Sequence, residues 1–209
     1  MTYLAFEAIG LDRIRTECSV SYLDHNLLYV DHKTPDDHIY LQSAAEHFGV
    51  HVSRPGNGIC HAVQVSRFGA PGKVSMGGDS HTPHGGSIGM LCIGVGGMDV
   101  ATAIMGTFAS AADILGDQID ILAEVHEKEE YEINDNLIIK PLPEEEAKKV
   151  EIVRGPNIKF LPVPEVPVQH LKVPVSLKGG DNISTDDITP ASAEFSSMRS
   201  NIPLMSKYC

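Results

Sequence analysis

The sequence contains no apolar run of the roughly 18 residues that a membrane helix requires, and its amino terminus has no basic region followed by an apolar one. These absences predict a cytoplasmic protein with no membrane partner. Positive charge is also scarce, because 16 Lys and Arg residues stand against 28 Asp and Glu residues, a formal net charge of −12. Phosphate binding needs clustered positive charge, so nucleic acid is excluded as an expected partner.

Cysteine is sparse as well. The chain has four widely spaced cysteines, Cys18, Cys60, Cys92 and Cys209, and no Cys-x-x-Cys pair. This spacing gives no support to a zinc ribbon or a thioredoxin-type motif, and without a secretion signal a disulfide framework is not expected. Cys60 and Cys92 lie in apolar, glycine-containing surroundings, which predicts that they are small buried residues.

Glycine, by contrast, is concentrated between Met76 and Val100. This stretch places Asp79, Ser80 and His81 among eight glycines. A fold tolerates the entropic cost of so many glycines where the backbone must take a positive φ or approach another group closely. A polar ligand is the natural candidate for that approach, and a solvated glycine-rich turn is the alternative.

Helix and strand patterns alternate over residues 1–106. Regular apolar spacing, proline at a first helical turn and glycine at a terminus support the helices, and short alternating runs support the strands. This alternation predicts the α/β class with a parallel sheet. The predicted helices are Thr2–Leu11, a helix capped by Thr34 and ended by Gly49, Ile59–Phe68 and Met98–Met105; the predicted strands are Thr16–Tyr22, Val50–Val52 and Lys73–Met76.

The composition changes after Gly106. Residues 107–172 are first acidic and then rich in proline, which predicts an extended linker partly wrapped on a surface. Val173–Leu177 is predicted to be a strand that opens a second unit, and residues 173–209 are too few to close a core of their own.

Three short groups carry most of the chemically interesting side chains. Asp24 and His25 follow the first predicted strand, His61 ends the segment that begins at Arg54, and Asp79-Ser80-His81 lies in the glycine-rich stretch. A histidine beside a carboxylate suits either acid–base chemistry or anion binding. A mononuclear metal hydrolase that uses His25, His61, His81 and Asp79 is a further alternative, because imidazole and carboxylate suit zinc or iron.

Taken in order, four segments resemble the aconitase family of iron–sulfur hydro-lyases, in its bacterial form. The resemblance implies an α/β, parallel-sheet aconitase-like domain in residues 1–106, a linker in 107–172, and the amino-terminal part of the family's swivel domain in 173–209. The segments are SYLDHN at 21–26, RPGNGICH at 54–61, GGDSHTPHGGSIGMLCIGVGG at 77–97 and GDNISTDDITPASAEFSSMRSNIP at 180–203.

The function that this resemblance implies is the conversion of a small tricarboxylate, citrate to isocitrate through cis-aconitate. In that family a [4Fe-4S] cluster with one iron free of cysteine binds substrate oxygens as a Lewis acid. The site residues are carried over by motif. Asp24 and His25 would form an acid–base pair near the leaving hydroxyl, assisted by His61; Asp79, Ser80 and His81 would contact substrate; Thr185 and Asp186 would line the site; and Arg199 would hold a substrate carboxylate.

The sequence also departs from the family. The three cluster cysteines, the upstream segment with a substrate glutamine, and the swivel segment with a catalytic serine and a substrate arginine have no counterpart. The family's Thr-Asp-His is here Thr185-Asp186-Asp187. The chain therefore resembles pieces of an aconitase joined across a gap after Gly106. A non-catalytic anion-binding fragment or module, or a related isopropylmalate or homoaconitate dehydratase, are the alternatives.

Overall fold

The computed structural model describes residues 1–29, 31–106, 133–162, 169–170, 172–175, 177–189, 195, 198 and 200–208. Along these stretches, every helix is too short or too polar to cross a membrane.

Helices and short strands alternate through the first half of the chain, as predicted. The helices are α1 (Thr2–Ile9), α2 (Lys33–Phe48), α3 (Cys60–Val63), which continues as a π-helical turn (Gln64–Phe68), a 3₁₀ helix (Thr82–Ile88), α4 (Gly97–Ile104), α5 (Glu144–Ala147), α6 (Thr185–Ile188) and α7 (Ile202–Met205). The strands are β1 (Val20–Tyr22), β2 (His51–Ser53), β3 (Val74–Gly77), β4 (Leu91–Gly94) and β5 (Ile138–Ile139).

Helix α2 shows how local sequence sets the bounds of an element. It begins at Lys33, one residue before the predicted cap Thr34, because the Asp31 carboxylate accepts the Lys33 amide at 2.9 Å. Thr34 is instead buried inside the first turn. The helix ends at Gly49, whose φ of 78° is left-handed and whose missing Cβ leaves room for the Arg13 guanidinium.

The strands form two small sheets instead of the single parallel sheet expected for residues 1–106. In the first, β1 pairs parallel with β2, and β2 pairs antiparallel with β5. In the second, β3 pairs parallel with β4. The α/β class is confirmed, but among the described residues no strand bridges the two sheets, so the expectation of one continuous sheet is wrong.

Strands β1 and β3 both line a broad open cleft of about 1540 Å³. Before the strands begin, Lys73 Nζ lies 2.8 Å from Glu17 Oε2. After they end, His25 Nε2 lies 3.8 Å from Asp79 Oδ2. Residues 15–22 and 72–79 both line the cleft. The two contacts therefore link the segment that carries β1 to the segment that carries β3.

The core lies between α1, α2 and the first sheet. Phe6 is fully buried and meets the Phe48 ring edge-on, with centroids 4.9 Å apart. Val52 of β2 is also fully buried, and Ile158 packs against the same cluster. Residues 133–162, part of the predicted linker, are thus wrapped on the core and add β5 to its sheet.

The strand predicted over Val173–Leu177 is not observed among the described residues of that segment, 172–175 and 177. Val173, Val175 and Leu177 are 68%, 86% and 85% exposed, so these apolar side chains have little packing that would favour an extended pairing. The part of this prediction that concerns Ser176 lies outside the described residues.

Candidate functional site

The site residues predicted from the first three motifs lie together near the ends of β1 and β3. Asp24 follows β1 by two residues, and Asp79 follows β3 by two residues. Although the two strands belong to different sheets, the residues that follow their carboxyl ends line the same cleft. Cys60 and His61, at the start of α3, line that cleft as well.

Asp24 links the first motif to helix α3. Its Oδ1 lies 2.9 Å from His25 Nδ1, and its Oδ2 accepts the Cys60 amide at 2.5 Å. Burial by itself would raise the pKa of Asp24, but the hydrogen bonds from His25 and from the Cys60 amide and thiol hold that pKa below its usual value. Asp24 is therefore a fixed carboxylate that orients both neighbours.

His25 is the partner of Asp24 whose pKa is shifted upward. The hydrogen bond with Asp24 raises the pKa of His25; partial burial opposes the rise, and the charges of Asp24 and Asp79 add to it. The side chain is 63% exposed, so its proton or its charge is available to a molecule in the cleft. An imidazolium in this position can donate a proton or hold an anion.

The Asp79 carboxylate lies close to one histidine from each of the three motifs. Its Oδ1 lies 3.7 Å from Nδ1 of both His61 and His81, and its Oδ2 lies 3.8 Å from His25 Nε2. These are ion-pair separations, longer than hydrogen bonds. Oδ1 also accepts the His81 amide at 2.9 Å, which holds the carboxylate in place.

The three histidines differ in their surroundings. His61 stacks on His81 with centroids 4.9 Å apart and meets the His84 ring at 5.3 Å. The His61 side chain is 19% exposed, whereas that of His81 is 68% exposed. Ser80 Oγ lies 3.0 Å from His81 Nδ1. Ser80 and His81 thus form an exposed pair, and His61 lies deeper in the wall of the cleft.

The glycines allow the turn that carries Asp79 to pack tightly. A Cβ on Gly77 would lie 2.6 Å from Thr82 Oγ1. The Asp79 carbonyl accepts hydrogen bonds from the Thr82 amide at 3.1 Å and the Thr82 hydroxyl at 2.7 Å. A side chain at position 77 would displace the Thr82 side chain and disturb its hydrogen bond to the Asp79 carbonyl.

Cys60 is a site residue for which the sequence predicts burial alone, and His84, from the glycine-rich stretch, joins the site through its contact with His61. Cys60 is buried, as predicted, but burial among apolar neighbours is not its whole environment. Burial raises the pKa of its thiol to about 12, together with the hydrogen bond to Asp24 and the negative charges of Asp24 and Asp79. The sequence did contain a signal for Cys60 as a site residue, because Cys60 directly precedes the predicted site residue His61.

The described cysteines do not fit a [4Fe-4S] cluster, which takes thiolates as its ligands. Cys18 is exposed, Cys60 lies in the site, and Cys92 lies behind the glycine turn, where it would contact a Cβ at Gly85. Within the described ranges, the groups of side chains that can share one ion are Asp24, His25, Cys60 and Cys60, His61, Asp79. Each contains a single cysteine, and Cys209 lies outside the described residues.

The residues predicted from the fourth segment are described only in part. Thr185 and Asp186 are the first two residues of α6. Arg199 lies outside the described residues. Their contribution to the site stays a prediction.

Comparison with known proteins bears on residues 12–114, which match the sequence model of the aconitase family (aconitate hydratase). The chain is 36% identical over 119 residues to an aconitase–ribosomal protein bL21m fusion protein of Schizosaccharomyces pombe, covering 51% of this chain and 13% of that protein. It is 35% identical over 117 residues to the mitochondrial homocitrate dehydratase of Saccharomyces cerevisiae, covering 51% and 15%.

A third relative is the probable mitochondrial aconitate hydratase of Caenorhabditis elegans, 47% identical over 60 residues, which cover 29% of this chain and 8% of the relative. The chain therefore spans between 8% and 15% of the length of these three curated relatives.

Proposed function

This chain belongs to the aconitase family over residues 12–114, and we propose that it carries the acid–base part of an aconitate hydratase-like hydro-lyase site. The observation that supports this most directly is the position of Asp79, within 3.8 Å of a ring nitrogen of His25, His61 and His81. One cleft thus brings together the three motifs of the family resemblance.

The proposed reaction removes water from a tricarboxylate, or adds it to cis-aconitate, in the citrate–isocitrate conversion. One group must take a proton from carbon, and another must protonate the hydroxyl as it leaves. We assign the protonation of the hydroxyl to His25, whose pKa is raised by its hydrogen bond with Asp24, and an assisting role to His61. Asp79, Ser80 and His81 contact the substrate.

The rest of the substrate site is proposed to come from the carboxyl-terminal segment. We assign residues 1–106 to the catalytic domain, 107–172 to the linker and 173–209 to the first part of a swivel domain. Thr185 and Asp186 would line the site, and Arg199 would hold a substrate carboxylate, which its planar guanidinium matches in a bidentate manner. A cytoplasmic location is retained as a proposal, although two of the relatives are named as mitochondrial.

The family's cluster, where present, supplies a Lewis acid for the hydroxyl, but the described cysteines of this chain do not provide its thiolates. That disagreement favours a second candidate function, a non-catalytic fragment or module that binds anions through the same loops. A related dehydratase of a longer tricarboxylate is a third candidate, supported by the name of the yeast homocitrate dehydratase.

Histidine NMR signals of the 209-residue chain, titrated with citrate and with cis-aconitate, test these candidates. We expect saturable shifts of His25, His61 and His81, with no shift of His47, which lies on α2 and contacts the Val150 carbonyl at 2.8 Å. Acetate at the same ionic strength is the matched control for a general anion effect. Shifts that appear equally with acetate would contradict selective binding of a tricarboxylate, and with it the hydro-lyase, and would favour the anion-binding module.

The same samples are then assayed for hydration of cis-aconitate. Turnover that disappears in Asp79→Asn would support the hydro-lyase. Tricarboxylate binding without turnover, in this chain and in any longer protein that contains it, would favour the anion-binding module.

A further inference from the structure

Three ligand atoms of different chemistry meet on one wall of the cleft. Cys60 Sγ lies 3.9 Å from His61 Nδ1, which lies 3.7 Å from Asp79 Oδ1. All three residues offer an atom within 4.8 Å of the others. We propose that Cys60, His61 and Asp79 bind a single transition-metal ion of zinc-like preference.

Two of the three separations between ligand atoms are close to those of a tetrahedral site. Zinc bonds of about 2.3 Å to sulfur and about 2.0–2.2 Å to nitrogen or oxygen place the ligand atoms roughly 3.3–3.6 Å apart. The two measured separations exceed that range by only a few tenths of an ångström. The third pair, Cys60 and Asp79, offers ligand atoms within 4.8 Å of each other, so closing the site around an ion requires side-chain rotation there as well.

The ligand types select the ion. A thiolate combined with an imidazole suits zinc, cobalt or ferrous iron, whereas magnesium and calcium prefer oxygen ligands alone. Binding transfers no electrons: the metal replaces the proton of the Cys60 thiol, the proton passes to solvent, and the sulfur–metal bond forms. His61 binds as the neutral ring, and Asp79 binds as the carboxylate.

Neighbouring groups hold the three ligands in position, as in established metal sites. Asp24 Oδ2 accepts the Cys60 amide at 2.5 Å and so fixes the residue that carries the thiol. His25 Nε2 lies 3.8 Å from Asp79 Oδ2, the oxygen that does not face His61. Three protein ligands leave a fourth position open toward the cleft, where water or an anionic ligand can bind.

The second group, Asp24, His25 and Cys60, satisfies the same distance limit but suits a metal less well. His25 Nδ1 is already hydrogen bonded to Asp24 at 2.9 Å, and its side chain is 63% exposed. His61 is 19% exposed and has no such bond to Asp24. The proposed ligands therefore differ from those of the metal hydrolase considered from the sequence. Cys60 takes the place of His25 and His81, and His61 and Asp79 are common to both sets.

Cobalt(II) is the probe that reports on this site, since a thiolate ligand gives a charge-transfer band in the near ultraviolet and tetrahedral cobalt gives intense visible bands. We expect the 209-residue chain to bind one equivalent of cobalt with both signals, and zinc to displace it. Cys60→Ser and Cys60→Ala should abolish the charge-transfer band. The matched controls Cys18→Ser and Cys92→Ser should keep it.

The other ligands are tested by affinity. His61→Ala and Asp79→Asn should each weaken cobalt binding by at least about 10-fold, the lower end of the effect of removing even an outer-shell partner. His81→Ala should change it far less. The proposal is overturned if wild-type chain gives no thiolate band with excess cobalt, if the band survives in both Cys60 variants, or if His61→Ala binds with unchanged affinity.

Circular dichroism and thermal unfolding of each variant show whether it is folded before cobalt is added. The Ser and Ala variants of Cys60 differ in polarity, so a folding defect in one does not remove the test. No substrate is used, so this result is independent of the proposed hydro-lyase function: metal binding can fail while tricarboxylate binding succeeds, and the reverse.

Discussion

His61 and His81 stack at 4.9 Å, and both place Nδ1 at 3.7 Å from the same oxygen of Asp79. One carboxylate therefore serves two rings that come from different segments, α3 and the turn before the 3₁₀ helix. A change at Asp79 affects both segments at once, whereas a change at either histidine affects one.

Asp79→Asn and His25→Ala should act mainly on turnover. In a longer protein that contains this chain and hydrates cis-aconitate, we expect kcat to fall by about 10²- to 10⁴-fold, the usual contribution of a positioned acid or base. KM should change little, because substrate affinity depends on other groups. Steady-state kinetics measure both values, with His47→Gln as a control outside the cleft. Near wild-type kcat in both variants would remove these residues from the chemistry.

Anaerobic reconstitution of the 209-residue chain with iron and sulfide should give no stoichiometric [4Fe-4S] cluster. Cys18, Cys60 and Cys92 occupy separate environments and do not form a set of thiolate ligands. Acid-labile sulfide is the decisive measurement, because a single iron ion at Cys60 would carry none. Stoichiometric sulfide together with iron would show this prediction to be wrong.

Phe6→Ala should destabilise the fold strongly. Phe6 is fully buried and packs edge-on against Phe48, and emptying such a position costs about 3–5 kcal/mol. That cost approaches the whole stability of many domains, about 5–15 kcal/mol. Urea unfolding followed by circular dichroism measures it. Leu28→Ala, at a side chain that is 86% exposed, is the control and should change stability by less than about 0.5 kcal/mol.

Protonation of His51 should lower the free energy of unfolding as the pH falls. Burial lowers the pKa of His51 below 6.5; a hydrogen bond with the Ser19 backbone opposes this, and the charge of Lys140 adds to it. Because the unfolded chain binds the proton first, stability is full above about pH 6.5 and declines as the pH falls toward the lower folded pKa. Arg67 and Asp135 also line the small pocket around His51.

The test compares free energies of unfolding between about pH 7 and about pH 5. His51→Gln should reduce the pH dependence, and Lys140→Gln should reduce it to a smaller extent, since it removes one positive charge that faces the ring. An unchanged slope in His51→Gln would assign the pH dependence to other groups.

Local patterns in the sequence located the helices well. The bounds of α1, α2 and α4 lie within two residues of prediction, because apolar spacing and a terminal glycine are local signals. The cap of α2 was wrong because the Asp31 side chain, two residues upstream, accepts the Lys33 amide.

Strand pairing was harder to predict, because it depends on partners distant in the chain. Strand β4 lies within the glycine-rich stretch, where the sequence predicted no strand. Strand β5 has only two residues, Ile138 and Ile139, and forms because they pair with β2. The division into two sheets follows from these long-range pairings and has no local signature.

The site was predicted in outline. The order of the motifs indicated that Asp24, His25, His61 and Asp79 belong together, and the structure places them in one cleft. The contact between Asp24 and the Cys60 amide could not be predicted, because residues 36 positions apart meet there only through the fold. The sequence therefore predicts only a buried packing role for Cys60.

The gap between β1 and β3 also bears on how the protein behaves in solution. Along the described chain, each of these strands has a partner on only one edge, and a free edge can template the addition of strands from other molecules. Glu17 and Lys73 form an ion pair just before β1 and β3 begin, but their side chains are 80% and 57% exposed, so added salt screens the pair. We expect self-association, followed by light scattering, to increase with ionic strength, and a constant particle size would contradict this. Concentrated samples are therefore best kept at low salt, where the charges of Glu17 and Lys73 are least screened and oppose the addition of strands most strongly.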